Sequence, residues 1–254
     1  MPEFTDQVAL ITGAARGIGA AAAKIFAQAG AAVAVTDIAD ASDVVAEIKN
    51  DGGRAAFFPC DVTKPDDVDA VVKKTIEEFG RLDVAVANAA FSDRGPFLEM
   101  ALEGFQRTID VTMWGALHTV RAVSRSLVTQ GEGGAIVVIG SNHAEIPDPG
   151  AMAYNMAKAA VDSMALTAAA ELFDHRIRVN IIHPGWVDTP GERKFYSEAE
   201  LEKGGAGLPA GRLCRPEEIA RVALFLADRA SEAINGAIYH VDGGIRLPHQ
   251  PRHR

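Results

Sequence analysis

Three side chains in this sequence have the types and spacing to move a proton on and off an alcohol: Ser141, Tyr154 and Lys158. The stretch from Ser141 to Lys158 reads SNHAEIPDPGAMAYNMAK. From Ala153 to Leu172 there is no Gly or Pro and much Ala, Met and Leu, which predicts a helix. Four apart on a helix, Tyr154 and Lys158 share one face. A phenol beside an ammonium is an acid–base device. The cation favours the phenolate and should draw the tyrosine pKa below its ordinary value near ~10. Ser141 closes the apolar run from Ala135, where a sheet strand would present its hydroxyl to a cleft to hold a carbonyl or alcohol oxygen. On an unrelated helix the same Tyr and Lys would be two surface residues, so their meaning depends on the rest of the chain.

The elements that must position these groups alternate along the whole length. Apolar runs predict strands at Val8–Thr12, Ala32–Asp37, Ala55–Phe58, Val84–Asn88, the run ending at Ser141, Arg178–His183 and Ala237–Val241. Helices are predicted between them: an Ala-rich one to about Ala29, Ser42–Asn50, one capped by Thr63 and ending at Phe79-Gly80, a long region from Leu102 to about Leu127, the Tyr154 helix, and one opened by Pro216-Glu-Glu. This alternation implies an α/β fold: a doubly wound, mostly parallel sheet with helices on both faces, whose ligand lies beyond the carboxyl ends of the strands. The 254 residues are most simply one domain. Each candidate motif falls at or just past a predicted strand end, or at the start of the helix that follows.

The first strand leads into Gly13-x-x-x-Gly17-Ile18-Gly19, which opens a helix. Glycines there allow a tight turn, let the backbone approach a pyrophosphate and leave that anion on a helix N-terminus. Asp37 ends the second strand, where a carboxylate accepts hydrogen bonds from ribose hydroxyls and repels a 2′-phosphate; Ile38 after it offers no cation. The balance favours NAD. Arg16 either assists a 2′-phosphate or anchors the loop. Asp61, with Val62, either accepts from an adenine amino group or simply leads into a helix.

Composition excludes several classes. The chain is 48% hydrophobic and 23% charged, with a net charge of −9, which argues against a nucleic-acid binder. No apolar run approaches the ~20 residues of a membrane span, and MPEFTDQVAL lacks the pattern of a signal peptide. Cys60 and Cys214, far apart, read as reduced core thiols of a cytoplasmic protein. His143, His175 and His183 show no ligand spacing, so no metal is expected. The basic stretch from Arg246 to Arg254 reads as a solvated end or an arm to a neighbouring subunit.

Taken together, Thr12-Gly13-x-x-x-Gly17-Ile18-Gly19, Asn88-Ala89-Ala90, Ser141, Tyr154-x-x-x-Lys158, Asn180-x-x-x-Pro184-Gly185, Thr189 and Asp242-Gly243-Gly244 resemble the short-chain dehydrogenase/reductase family over nearly the whole chain. The resemblance implies a seven-stranded Rossmann sheet, a nicotinamide cofactor and a homo-oligomer, dimer or tetramer. It implies Tyr154 as general acid/base and Lys158 as partner of the nicotinamide ribose. Ser141 would orient the substrate oxygen. Asn88 and Ala89 would line the cofactor cleft, and Pro184, Gly185, Val187 and Thr189 would hold the nicotinamide end. The chain departs from the family at Thr112, where an Asn usually holds a helix distortion and a relay water. Thr112 is expected to stand in with its hydroxyl, or the relay to pass to solvent.

The substrate reading rests on the segment after Ser141. His143 and the Ile146-Pro147-x-Pro149 pattern resemble the corresponding stretch of the family's glucose 1-dehydrogenases. His143, Glu145, Asp148, Glu192, Arg193 and Lys194 are candidates to pair sugar or polyol hydroxyls, with loop bonding as the alternative for the first three. Residues 190–210 read as a lid or a solvated excursion. The expected function is NAD-dependent oxidation of a secondary or anomeric alcohol. Reduction of 3-oxoacyl thioesters and a non-catalytic NAD-binding regulator are the alternatives.

Overall fold

In the computed structural model, which describes residues 4–248, the chain forms a seven-stranded parallel sheet in the order β3-β2-β1-β4-β5-β6-β7. The strands are β1 (Val8–Thr12), β2 (Ala32–Asp37), β3 (Arg54–Pro59), β4 (Val84–Ala87), β5 (Gly134–Ile139), β6 (Ile177–Pro184) and β7 (Ile238–Val241). The order reverses between β1 and β4, which opens a crevice above their carboxyl ends. The Rossmann-like sheet expected from the alternating pattern is the one observed.

Apolar side chains on both faces of each inner strand explain the continuous runs. Ala9, Ile11, Val84 and Val86 face one layer of core, and Leu10, Ala85, Ala87 and Ile136 face the other. Helices α1 (Gly17–Gln28), α2 (Ser42–Asn50) and α8 (Pro216–Ala227) cover the first face with Phe26, Val44, Ile48, Ile219 and Leu224. Helices α3 (Pro65–Phe79), α5 (Gly115–Gln130) and α6 (Met152–Glu171) cover the second with Val68, Val72, Val123, Leu127 and Val161.

Two local expectations differ from what is found. Thr63 does not cap α3: the cap position is Lys64, and the Thr63 hydroxyl donates to Asp61 Oδ1 at 2.7 Å, while Pro65 opens the helix and Asp66 and Asp67 supply its first-turn acids. The region from Leu102 is not one regular helix. Helix α4 (Leu102–Ile109) passes through a π-helical turn at Asp110–Trp114 into α5. The distortion is present with Thr, not Asn, at its centre. Helix α7 (Glu198–Ala206) sits within the charged excursion and starts with a reciprocal Ser197–Glu200 capping box. Of the basic tail, residues 249–254 lie outside the described residues. No helix among the described residues is long and apolar enough to cross a membrane.

Candidate active site

A cleft of about 430 Å³ lies over the carboxyl ends of the strands, within the size range of small-molecule sites. One wall is the glycine loop. Gly13 has φ +65°, a backbone region that favours glycine, and an added Cβ would meet Ala89 Cα at 2.8 Å. Gly19 does not line the cleft; it packs against the Gly13 carbonyl and Asn88. The Asn88 amide donates to the carbonyls of Thr12 and Gly13 at 2.9 and 3.0 Å, and the Thr12 hydroxyl accepts from the N–H groups of Asn88 and Ala89. β1 and β4 are thereby locked together where they part.

Arg16, Gly17, Ile18, Asp37, Ile38, Asp61, Val62, Asn88 and Ala89 line the part of the cleft nearest the glycine loop. Asp37 accepts from the Ala15 N–H and the Ala39 N–H, both at 2.9 Å, which ties the end of β2 to the glycine loop. Burial pushes the Asp61 carboxyl up, but hydrogen bonds from Thr63 and the Lys64 ammonium outweigh it and hold it below its ordinary value. The Cys60 thiol beneath is pushed up to about 12 by burial and by nearby carboxylates, so it is an inert core group.

The other end of the lining holds Ser141, Tyr154, Lys158, Pro184, Gly185, Val187 and Thr189. The Lys158 ammonium is buried and donates to the Ile139 carbonyl at 2.5 Å, and its Nζ lies 5.5 Å from the Tyr154 ring centroid. Burial lowers Lys158 to about 8, against the opposing pull of Asp162. The expected depression of the Tyr154 pKa is not found. Burial pushes the phenol up to about 12, opposed by a hydrogen bond with Ser141 and reinforced by Glu192. Desolvation of the phenolate outweighs both the Ser141 hydrogen bond and the opposing pull of the Arg94 guanidinium.

Thr112 is buried, but not aimed at Lys158. Its hydroxyl donates to the Phe91 carbonyl at 2.7 Å and accepts from the Phe91 N–H at 3.0 Å. It pins the segment after β4 and does not line the cleft.

Four of the six expected substrate contacts do not line the cleft: Arg193 is paired with Asp188 and Glu198, Asp148 lies 3.9 Å from Arg94, and His143 and Glu145 turn to other partners. His143 packs edge-on against Tyr154, with ring centroids 5.7 Å apart, and its N–H donates to the Ser141 hydroxyl; burial lowers its pKa. Glu145 turns away to His240, at 3.1 Å. Neither lines the cleft, whereas Glu192 and Lys194 do. Glu192 is held by the Trp186 indole N–H at 2.9 Å, which anchors the start of the 190–210 segment at the edge of the cleft. Ser92, Arg94 and Arg107 also line this end and were not singled out in the sequence. The Ser92 hydroxyl and Arg94 Nε are buried without a hydrogen-bond partner, and Arg94 lies over the Phe195 ring at 4.4 Å. Their position depends on the Phe91–Arg94 segment folding back over Thr112, which no local pattern reveals.

The lining suits a dinucleotide. Helix α1 opens with no acidic residue in its first turn and no side-chain cap, so its N-terminal N–H groups are available to an anion. Lys158 has one hydrogen-bond acceptor among the described residues for its three donors, so it can serve ribose hydroxyls too.

Comparison with known proteins agrees with this geometry. A family model described as enoyl-(acyl carrier protein) reductase matches residues 13–246. The chain is 38% identical over 243 residues to cis-4-hydroxycyclohexanecarboxylate dehydrogenase of Sinomonas cyclohexanicum, covering 95% of this chain and 97% of that one. It is 38% identical to a 3-oxoacyl-[acyl-carrier-protein] reductase of Synechocystis (96% and 99% covered) and 36% identical to galactitol 2-dehydrogenase of Agrobacterium fabrum (95% and 98%). The crystal structure of a short-chain type dehydrogenase/reductase from Mycobacterium marinum superposes with a TM-score of 0.92 at 36% identity, covering 97% of this chain and 98% of that one. The chain belongs to the short-chain dehydrogenase/reductase family, whose enzymes act on CH–OH groups with NAD(H) or NADP(H).

Proposed function

We propose that this protein is an NAD-dependent dehydrogenase of a secondary or anomeric alcohol on a polar substrate, a sugar or polyol. The observation that carries the reading is the convergence of Ser141, Tyr154 and Lys158 on the same cleft as the glycine loop and Asp37. The nicotinamide, when bound, takes up or releases the hydride. Ser141 holds the substrate oxygen, Tyr154 passes the proton to or from that oxygen, and Lys158 donates to the ribose. A binding module without chemistry would have no use for all three. Asp37 supports NAD, because a 2′-phosphate beside it would meet a carboxylate with Ile38, not a cation, next in sequence.

The polar substrate is supported by Ser92, Arg94, Glu192 and Lys194 around the catalytic end, and by the relative named for galactitol. Three cations there, Arg94, Arg107 and Lys194, favour substrates that also carry an acidic group. That feature, with the Synechocystis relative, keeps 3-oxoacyl thioester reduction as the second reading. A cytoplasmic homo-oligomer belongs to the same reading; Met156, Leu166 and Phe173 are exposed on and just beyond α6, as an association face requires.

A panel of aldoses, polyols, sugar acids, cyclic hydroxy acids, sterols and 3-oxoacyl thioesters, compared by kcat/KM with NAD(H) and NADP(H), tests it. The expected result is highest kcat/KM for a sugar, polyol or sugar acid with NAD. Preference for a sterol or thioester over every sugar would overturn the substrate assignment and leave the dehydrogenase standing.

A further inference from the structure

Strands β6 and β7 pair in parallel with His183 directly opposite His240. Neighbours in register project to the same side of a sheet, and the two imidazoles meet edge to face with ring centroids 5.0 Å apart. Glu145, four residues past Ser141, reaches over from the turn after β5. Its carboxylate lies 3.1 Å from His240 Nε2 and 3.8 Å from His183 Nδ1. The three ligand-type atoms all fall within 4.8 Å of one another. None of the three residues lines the cofactor cleft.

His183 is wholly buried, and the two edges of its ring are unequal. Nε2 lies 2.8 Å from Asp162 Oδ2 on α6. An ionised carboxylate only accepts, so it fixes the proton on Nε2 and leaves a lone pair on Nδ1. That Nδ1 has no hydrogen-bond partner and faces Glu145. A nitrogen lone pair facing a carboxylate is complemented by a cation placed between them. Glu145 supplies a negative charge on the open side of the cluster, while Asp162 behind His183 is shared with the Lys158 ammonium.

We propose that Glu145, His183 and His240 hold a divalent first-row metal ion, zinc(II) first among them, with water in the fourth position. Two imidazoles and a carboxylate are borderline ligands that suit zinc. Asp162 behind His183 is the carboxylate that fixes the tautomer and orientation of a metal-bound histidine. Ligand atoms at zinc-bond distance lie about 3.3 Å apart in a tetrahedron, so small side-chain rotations close the observed spacing. Glu145 is partly exposed and gives the ion a path from solvent. Spacing in the sequence shows nothing of this, because the ligands come from three separate strand ends. A bound ion would tie the turn that carries Ser141 and His143 to the β6–β7 edge.

The test uses the untagged full chain, stripped with a chelator and desalted. Zinc chloride is titrated calorimetrically, thermal unfolding is followed with and without zinc, and the zinc X-ray absorption edge is recorded. One equivalent per chain with a Kd of micromolar or below, a raised Tm, and an absorption spectrum with two imidazoles support the site. His183→Ala risks the fold, so Glu145→Gln and His240→Ala, at partly exposed positions, are the variants; each should weaken zinc about tenfold or more. His240→Cys should restore binding with a sulfur signal in the spectrum. Failure of the wild type to bind one equivalent, or binding that survives both variants unchanged, would overturn the proposal.

Discussion

Thr112 and Phe91 hold each other through a reciprocal pair: the Thr112 hydroxyl donates to the Phe91 carbonyl and accepts from the Phe91 N–H. One buried side chain therefore satisfies both backbone groups of a residue that lines the substrate end. Removing it leaves two buried polar groups unpaired. Thr112→Val should cost about 1–3 kcal/mol of stability and raise KM more than it lowers kcat, whereas Thr112→Ser should stay close to wild type in both. Denaturant unfolding and steady-state kinetics check this. A fall in kcat alone, with stability unchanged, would return Thr112 to the proton relay.

Under the proposed mechanism the two reaction directions should respond oppositely to pH. The phenol, raised to about 12, holds its proton near neutrality and could donate it to a carbonyl. Oxidation of an alcohol first needs that proton removed. Oxidation should accelerate as pH rises above neutrality and reduction should not. Tyr154→Phe should lower both by roughly 10²-fold or more while cofactor binding, read by fluorescence, persists.

Lys158 also marks the stability profile. Its folded-state pKa of about 8 lies below the ordinary 10.5, so between these values the unfolded chain holds a proton that the folded chain has released. By linkage the folded form gains stability as pH rises through that window. Tm measured from pH 7.5 to 10 should show this contribution in the wild type and lose it in Lys158→Met. Identical pH profiles for the two proteins would contradict the burial argument.

Asp37 joins cofactor choice to loop geometry. NAD should be preferred over NADP by at least about tenfold, equivalent to ~1.4 kcal/mol. Asp37→Ala should shrink that ratio. It should also weaken NAD itself, since the Ala15 and Ala39 N–H groups lose their acceptor. Equal use of both cofactors by the wild type would reject the assignment.

Gly19 is a packing requirement of the glycine loop. A Cβ there collides with the Gly13 carbonyl and comes within 2.6 Å of Asn88 Nδ2. Gly19→Ala should disrupt the β1–β4 lock and abolish cofactor binding, or prevent folding, as seen by calorimetry and circular dichroism. Near-normal NAD affinity in that variant would show that the loop has slack the geometry denies.

The strands and the crevice are legible in the sequence because buried parallel strands need continuous apolar runs, and the motif residues sit where those runs stop. Asp37 and Ser141 could be assigned to the crevice from this alone. Side-chain aim is not legible in the same way. Glu145 lies four residues from Ser141, yet its direction is set by His240, ninety-five positions away. Arg94 and Ser92 reach the site through a segment whose path depends on Thr112. Helical spacing reports the cation near Tyr154 but not the burial that raises its pKa.

Strand β7 comes last in chain order among the described strands, and it pairs only with β6. Asp242, just beyond it, packs so close to Gly185 that an added Cβ there would meet its Cα at 2.6 Å, and it accepts from the Asn142 amide. During synthesis, then, every element from β1 to α8 leaves the ribosome before the catalytic end has its last wall. Until β7 emerges, Ile181 and Ile182 sit on a bare strand edge, the kind that recruits a stray strand. Once β7 pairs, that edge of β6 is closed.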